Sequence, residues 1–231
     1  MKFDICLKNK RNTAHLNYML FRLIFLHLLF LPLAISAQNT APKEYVFFLH
    51  NKFLEGHPLD EPHPKYGISA YTAILEKLQS KNTVIIAEKR KPDTDPKIYA
   101  KKIILKIDSL NLCGVPFDHI SIIGTSQGGY IAQYISRYAK NPRLKFVFIG
   151  SSFKNDSMNL DKKFRLYGKI LSINEKTDVG AELLSRQLRF KNSNLKTFKE
   201  ITLNTGMEHG FLFRALDDWI IPTNNWINNN L

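Results

Sequence analysis

Six short apolar runs recur along the chain, each bounded by polar residues or glycine: "YVFFLH" (45–50), "TVIIAE" (83–88), "HISIIG" (119–124), "LKFVFIG" (144–150), "KILSIN" (169–174) and "KEITLN" (199–204). They are rich in β-branched and aromatic residues, the signature of buried strands. The segments between them change period. "SAYTAILEKLQSK" (69–81) predicts a helix with Tyr71, Ile74, Leu75 and Leu78 on its apolar side. "DPKIYAKKIILKIDSL" (95–110) predicts a second, with Ile98, Tyr99, Ile103, Leu105 and Ile107 apolar, Asp95 as cap and Pro96 at the first helical position. "GGYIAQYISRYAK" (128–140) predicts a third through Ile131, Tyr134, Ile135 and Tyr138, and a last helical stretch surrounds "RALDDWI" (214–220). Strands alternating with helices need crossover connections. The expected fold is therefore α/β: a mainly parallel sheet of about six strands, flanked by helices on both faces. Ligands of such sheets bind beyond the carboxyl ends of the strands, so residues with chemistry to do should follow strands.

The first 37 residues have another pattern. "MLFRLIFLHLLFLPLAISAQ" (19–38) opens with a charged flank, continues through about a dozen apolar residues and ends in small ones. This is the layout of a secretory signal peptide, cleaved near Ala37–Gln38, with Met19 as a possible true start. A retained anchor is the alternative, but the stretch is short for a membrane span of about 20 residues, and Arg22, His27 and Pro32 interrupt it. The expectation is a secreted or periplasmic protein with a single domain over 38–231 and no stable membrane span after cleavage. Losing the leader lowers the formal charge from +13 to +9, 28 basic residues against 19 acidic. The remaining charges are scattered along the chain. They imply a solvated basic surface with loose attraction to anionic envelope surfaces, and no nucleic-acid partner. Cys6 leaves with the leader, which gives Cys113 the expected role of a small buried filler at a helix end.

Candidate chemistry centres on "GTSQGG" (124–129). Gly-x-Ser-x-Gly arises by chance in roughly one chain of this length in ten, so its context carries the weight. Ser126 lies where the third strand meets the third helix, and Gly124 and Gly128 lack the Cβ atoms that a sharp turn would bring together. At that helix start the Gln127 N–H is available to an oxyanion. A serine nucleophile needs a base, and His209 follows the last strand in a turn marked by Gly206 and Gly210. The base needs a carboxylate. Asp178 stands four residues past the fifth strand; Glu175, directly after it, is the alternative acid.

The order Ser126, Asp178, His209, each after its own strand, resembles the α/β-hydrolase superfamily. The resemblance extends from "YVFFLHNKF" to "WI", and "HNKFLE", "GTSQGG", "LSINEKTD" and "EHGFLFRALDDW" are similar to a group of small, lidless serine hydrolases of poorly defined substrate. It implies a second oxyanion donor after the first strand, the Lys52 N–H, with His50-Asn51 standing where that family usually has His-Gly. Asparagine also tolerates left-handed backbone. His50, Asn51, Glu88 and Arg90 are candidate substrate-binding residues. Lys52, Glu55, Glu88 and Arg90, all after the first two strands, read either as a solvated rim or as contacts for a polar or anionic substrate. His50, His57 and His63 fit no zinc spacing, and no Gly-Lys-Ser/Thr ending makes "GTSQGG" a phosphate loop. No metal or organic cofactor is expected. Only about 18 residues separate the fourth and fifth strands, too few for a cap domain. The expected protein is a carboxylesterase-like serine hydrolase with an open site for a small-molecule or polymer-end ester. The alternatives are a non-catalytic envelope ligand-binding protein on the same scaffold, or a peptidase or acyltransferase. The sequence leaves the oligomeric state open.

Overall fold

The structure, a computed structural model, describes residues 43–228. The expected leader, with Met19, Cys6 and the Ala37–Gln38 cleavage point, lies outside them. Six strands, β1 (Glu44–Leu49), β2 (Thr83–Ala87), β3 (Ile120–Thr125), β4 (Lys145–Ile149), β5 (Lys169–Glu175) and β6 (Phe198–Leu203), form one sheet in the order β2-β1-β3-β4-β5-β6. Every neighbouring pair is parallel. The six apolar runs form these strands, and the α/β expectation holds.

Strand side chains divide strictly by parity. Phe47, Leu49, Ile122, Phe146 and Phe148 face one layer of helices, α3 (Pro96–Leu112) and α4 (Gln127–Ala139). Val46, Phe48, Ile123, Val147 and Ile149 face the other, α2 (Tyr71–Leu78) and α7 (Asp217–Ile227). Both faces of the inner strands β1, β3, β4 and β5 are thereby buried, which is why they read as largely apolar runs, while the edge strands β2 and β6 are mostly half-buried. Three single-turn helices, α1 (Phe53–Gly56), α5 (Ser157–Leu160) and α6 (Leu188–Lys191), sit in the connections. They are too short for a periodic signal. The β4–β5 connection contains α5 and no inserted domain. Among the described residues no helix is long and apolar enough to cross a membrane.

Local rules explain the helix limits. Asp95 caps α3 by accepting from the N–H groups of Lys97 and Ile98, both at 2.8 Å, with Pro96 following it. The buried side of α3 is Tyr99, Ala100, Ile103, Ile107 and Leu110. Ile98 and Leu105 are 71% and 68% exposed, because the 3.6-residue period carries them off that stripe. The last helix begins at Asp217 and continues through Pro222 to Ile227, where Trp219, Ile220, Trp226 and Ile227 pack on the sheet. Cys113 is not the buried filler expected. It is exposed at the carboxyl end of α3, where its N–H closes the last turn, and it is not a free thiol.

Candidate active site

Strand β3 delivers Ser126 to the carboxyl edge of the sheet. The Ser126 N–H still follows the sheet, donating to the Ile149 carbonyl at 2.9 Å, and then the chain reverses into α4. This reversal puts Ser126 at φ 49°, ψ −116°, a region that a residue with a Cβ adopts only under strain from its surroundings. Three glycines make the reversal possible. A Cβ on Gly124 would stand 2.5 Å from the Gly129 nitrogen, and one on Gly129 would overlap Ser151 Oγ. One on Gly128 would stand 2.5 Å from the Leu49 carbonyl carbon and 2.8 Å from the His50 oxygen. The loop after β1 therefore lies directly against the first turn of α4.

His209 Nε2 is 2.9 Å from Ser126 Oγ, and His209 Nδ1 is 2.6 Å from Asp178 Oδ2. Hydroxyl, imidazole and carboxylate form one hydrogen-bonded chain, assembled from the loops after β3, β5 and β6. Asp178 is buried and the His209 side chain is 23% exposed. With Nδ1–H donating to the carboxylate, Nε2 presents its lone pair to the hydroxyl, the tautomer able to receive the serine proton.

Glu175, the alternative acid, does not reach His209. It ends β5 as a buried carboxylate that ties two loops together. One oxygen accepts from the Thr177 N–H and hydroxyl, at 3.3 and 3.0 Å. The other accepts from the Thr205 N–H and hydroxyl, both at 3.0 Å. Burial by itself raises its pKa, but these bonds outweigh burial and hold it below the usual carboxylate value. The two threonine oxygens accept in turn from the Glu208 and Met207 N–H groups. Glu175 thus braces the acid loop against the histidine loop, in which Glu208 sits at φ 50° just before His209.

The first-strand loop is rigid in a way that its polar sequence conceals. His50 is buried; its Nδ1–H donates to the Asn51 carbonyl at 2.7 Å and its Nε2 accepts from the Arg90 N–H at 2.8 Å. Burial first, and then the adjacent Arg90 charge, lower its pKa to about 4, so the ring is neutral at pH 7. Arg90 and Glu55 form no rim. Both are buried, paired through Nε and Oε1 at 2.9 Å, and Arg90 Nη2 also donates to the His50 carbonyl. The guanidinium is thus a strut beneath the loop, not an exposed contact for substrate.

Glu88 directly follows β2 and turns its carboxylate to α3, away from the substrate-binding role expected of it. It binds Tyr99, Lys102 and Lys106; burial raises its pKa, and these partners bring it down to about 2. Lys52 precedes α1, with its ammonium on Glu55 at 2.7 Å. Asn51 is buried and accepts from the Leu54 N–H at 3.3 Å. It is absent from the positive-φ residues among those described, so replacing a glycine here demands no left-handed backbone.

His57 stacks on Phe53 with ring centroids 4.1 Å apart, and His63 on Tyr66 at 4.6 Å. Among the described residues no three His, Cys, Asp or Glu side chains are grouped to hold a metal. Sequence reasoning missed three contributors to the site. Phe153 places its ring 5.8 Å from that of His209, Tyr130 stacks beyond it at 6.4 Å, and Tyr66 lies where a Cβ on Gly210 would be 2.6 Å from its ring. Aromatics in loops carry no periodic signal. Only the position of Phe153, just past β4, was legible.

No protein-family model and no curated protein matches the chain. Among solved structures it is similar to SOBER1 from Arabidopsis thaliana, with a TM-score of 0.51 at 13% identity over 81% of this chain and 98% of that one. A single-substitution variant of SOBER1 aligns with a TM-score of 0.53 at 14% identity, over 80% and 98%. A candidate dienelactone hydrolase from Klebsiella pneumoniae aligns with a TM-score of 0.50 at 14% identity, over 81% and 87%. At such identities the likeness is one of fold.

Proposed function

We propose that this chain, which has the α/β-hydrolase fold, is an exported serine hydrolase that cleaves an ester-type acyl bond. The observation that carries the reading is the hydrogen-bonded chain from Ser126 through His209 to Asp178, mounted on a strained serine at a helix start. In the reaction His209 takes the Ser126 proton as Oγ attacks the acyl carbon, then returns it to the leaving alkoxide. Asp178 holds the imidazole in the right tautomer and stabilises the imidazolium. Water repeats the sequence to release the acid. The Gln127 N–H at the start of α4 and the Lys52 N–H on the braced first-strand loop serve the tetrahedral oxyanion. Gly128 supports this pairing, because it lets that loop approach α4.

The short β4–β5 connection leaves the serine without a cap domain, which favours a small ester or the acylated end of a polymer. Strain at Ser126 and a histidine aimed at its hydroxyl favour turnover over simple ligand retention, since a binding pocket requires neither. Export rests on the leader sequence, and recovery of mature protein beginning at Gln38 would support it. The test of function is a panel of p-nitrophenyl esters from acetyl to octanoyl, with thioester and peptide arms. Wild type should turn over at least one ester while Ser126→Ala falls to background. Equal rates for the two proteins would defeat the proposal.

A further inference from the structure

Basic residues are scattered along the sequence, but the fold gathers several at the end of α4 remote from Ser126. Lys101 of α3, Arg137 of α4, Lys140 just past it, and Lys163 and Arg165 before β5 line a cavity of about 490 Å³. Its other walls are Tyr138 and Tyr167, and no carboxylate lines it. A neighbouring cavity of about 260 Å³ shares Arg137 and Tyr138 and adds Lys97 and Asp161. Asp161 is already engaged, with Oδ2 3.0 Å from Arg137 Nη1. Across 13 residues, α4 separates this region from Ser126 by about 20 Å.

The bland explanation is that cations collect at the carbonyl end of a helix. That accounts for Arg137 and Lys140. It does not account for Lys101, Lys163 and Arg165, which come from other segments. Two of the cations are held in place. The Arg137 guanidinium lies 4.7 Å from the Phe164 ring centre, and Arg165 Nη1 donates to the Lys162 and Phe164 carbonyls at 2.8 and 3.1 Å. Lys101, Lys140 and Lys163 are exposed and, among the described residues, have no ion-pair partner. A concave wall of one sign concentrates counter-ions, and fixed guanidiniums beside mobile ammoniums suit phosphate oxygens.

We propose that this cavity is a binding site for a compact multivalent oxyanion, of the polyphosphate or multiply phosphorylated small-molecule class. A singly charged carboxylate would leave most of the wall unpaired, and the volume is that of a small-molecule pocket. The site is independent of the chemistry at Ser126.

Inorganic tripolyphosphate, titrated calorimetrically into the full chain at physiological ionic strength, tests the proposal, with orthophosphate as comparison. A triple variant, Lys101→Ala, Lys140→Ala and Lys163→Ala, should bind tripolyphosphate about tenfold to a hundredfold more weakly, the loss of three surface charge contacts. A control triple, Lys43→Ala, Lys81→Ala and Lys199→Ala, removes the same charge from exposed positions outside the cavity. It should weaken binding by less than about twofold. Unchanged melting temperatures establish that both variants fold. Equal weakening by the two triples would reduce the effect to net charge and overturn the proposal. So would wild type binding tripolyphosphate no more tightly than orthophosphate.

Discussion

Gly128→Ala perturbs the closest approach in the site, between the loop after β1 and the first turn of α4. The new Cβ would stand 2.5 Å from the Leu49 carbonyl carbon and 2.8 Å from the His50 oxygen, and closer still to the Leu49 oxygen. Unstrained carbon contacts with such atoms begin near 3.3–3.5 Å, so the loop must retreat by about 1 Å. It has little freedom to do so, because Leu49 is paired with Gly124 in the sheet and His50 is pinned by Arg90. Overpacking of this kind destabilises by about 1–3 kcal/mol, equivalent to a fall in Tm of roughly 2–12 °C for a domain of this size. Misplacing an oxyanion donor by about 1 Å costs on the order of a hundredfold in rate. The assay is kcat/KM on a short p-nitrophenyl ester at 20 °C, alongside thermal melting. Gly56→Ala serves as a stability control; a Cβ there meets nothing within 4 Å, so stability should change by less than about 0.5 kcal/mol. Activity of Gly128→Ala within about threefold of wild type, with an unchanged Tm, would refute the reasoning.

Three further outcomes follow from the same geometry. Asp178→Asn should lower kcat by on the order of 10³–10⁴ with little change in KM, since the amide favours the wrong imidazole tautomer; a loss under tenfold would count against Asp178. His50 titrates at about 4 when folded and near 6.5 when unfolded, so the unfolded chain takes up the proton first. Its contribution is complete above pH 6.5 and is lost as pH falls toward 4, by about 2 kcal/mol between pH 7 and pH 5. Urea melts at the two values measure it, and a His50 ring that titrates near 6.5 by NMR would contradict it. Glu175→Gln turns an acceptor of four bonds into a group whose amide meets donors, at a cost of about 1–3 kcal/mol. It should lower kcat more than it raises KM, because the histidine loop loosens while the pocket stays; an unchanged kcat would remove the bracing role.

The sheet was legible because parallel strands buried on both faces, as β1, β3, β4 and β5 are, must be largely apolar, and their short runs alternate with helical periods. Ser126, Asp178 and His209 could be singled out because the carboxyl edge of such a sheet is where loops meet, and each follows its own strand. Charged residues were less legible. Arg90 and Glu55 read as surface side chains, yet they neutralise each other in the interior; their separation of 35 residues leaves no local mark. Glu175 looked like a weaker form of Asp178, because spacing cannot distinguish an acid that faces the histidine from one that ties its loop down. The basic cavity was hidden for the same reason. Its lysines and arginines are far apart in sequence, and only the packing of α3, α4 and the β4–β5 connection brings them together.

The central claim is that Ser126 is a nucleophile activated by His209, and covalent labelling tests it most directly. Wild type, Ser126→Ala and His209→Ala are each treated with a fluorophosphonate and mapped by peptide mass spectrometry. The account predicts one adduct per wild-type chain, on Ser126, with none on Ser126→Ala and labelling of His209→Ala slowed at least a hundredfold. An adduct on another residue, or equal labelling of wild type and Ser126→Ala, would contradict it.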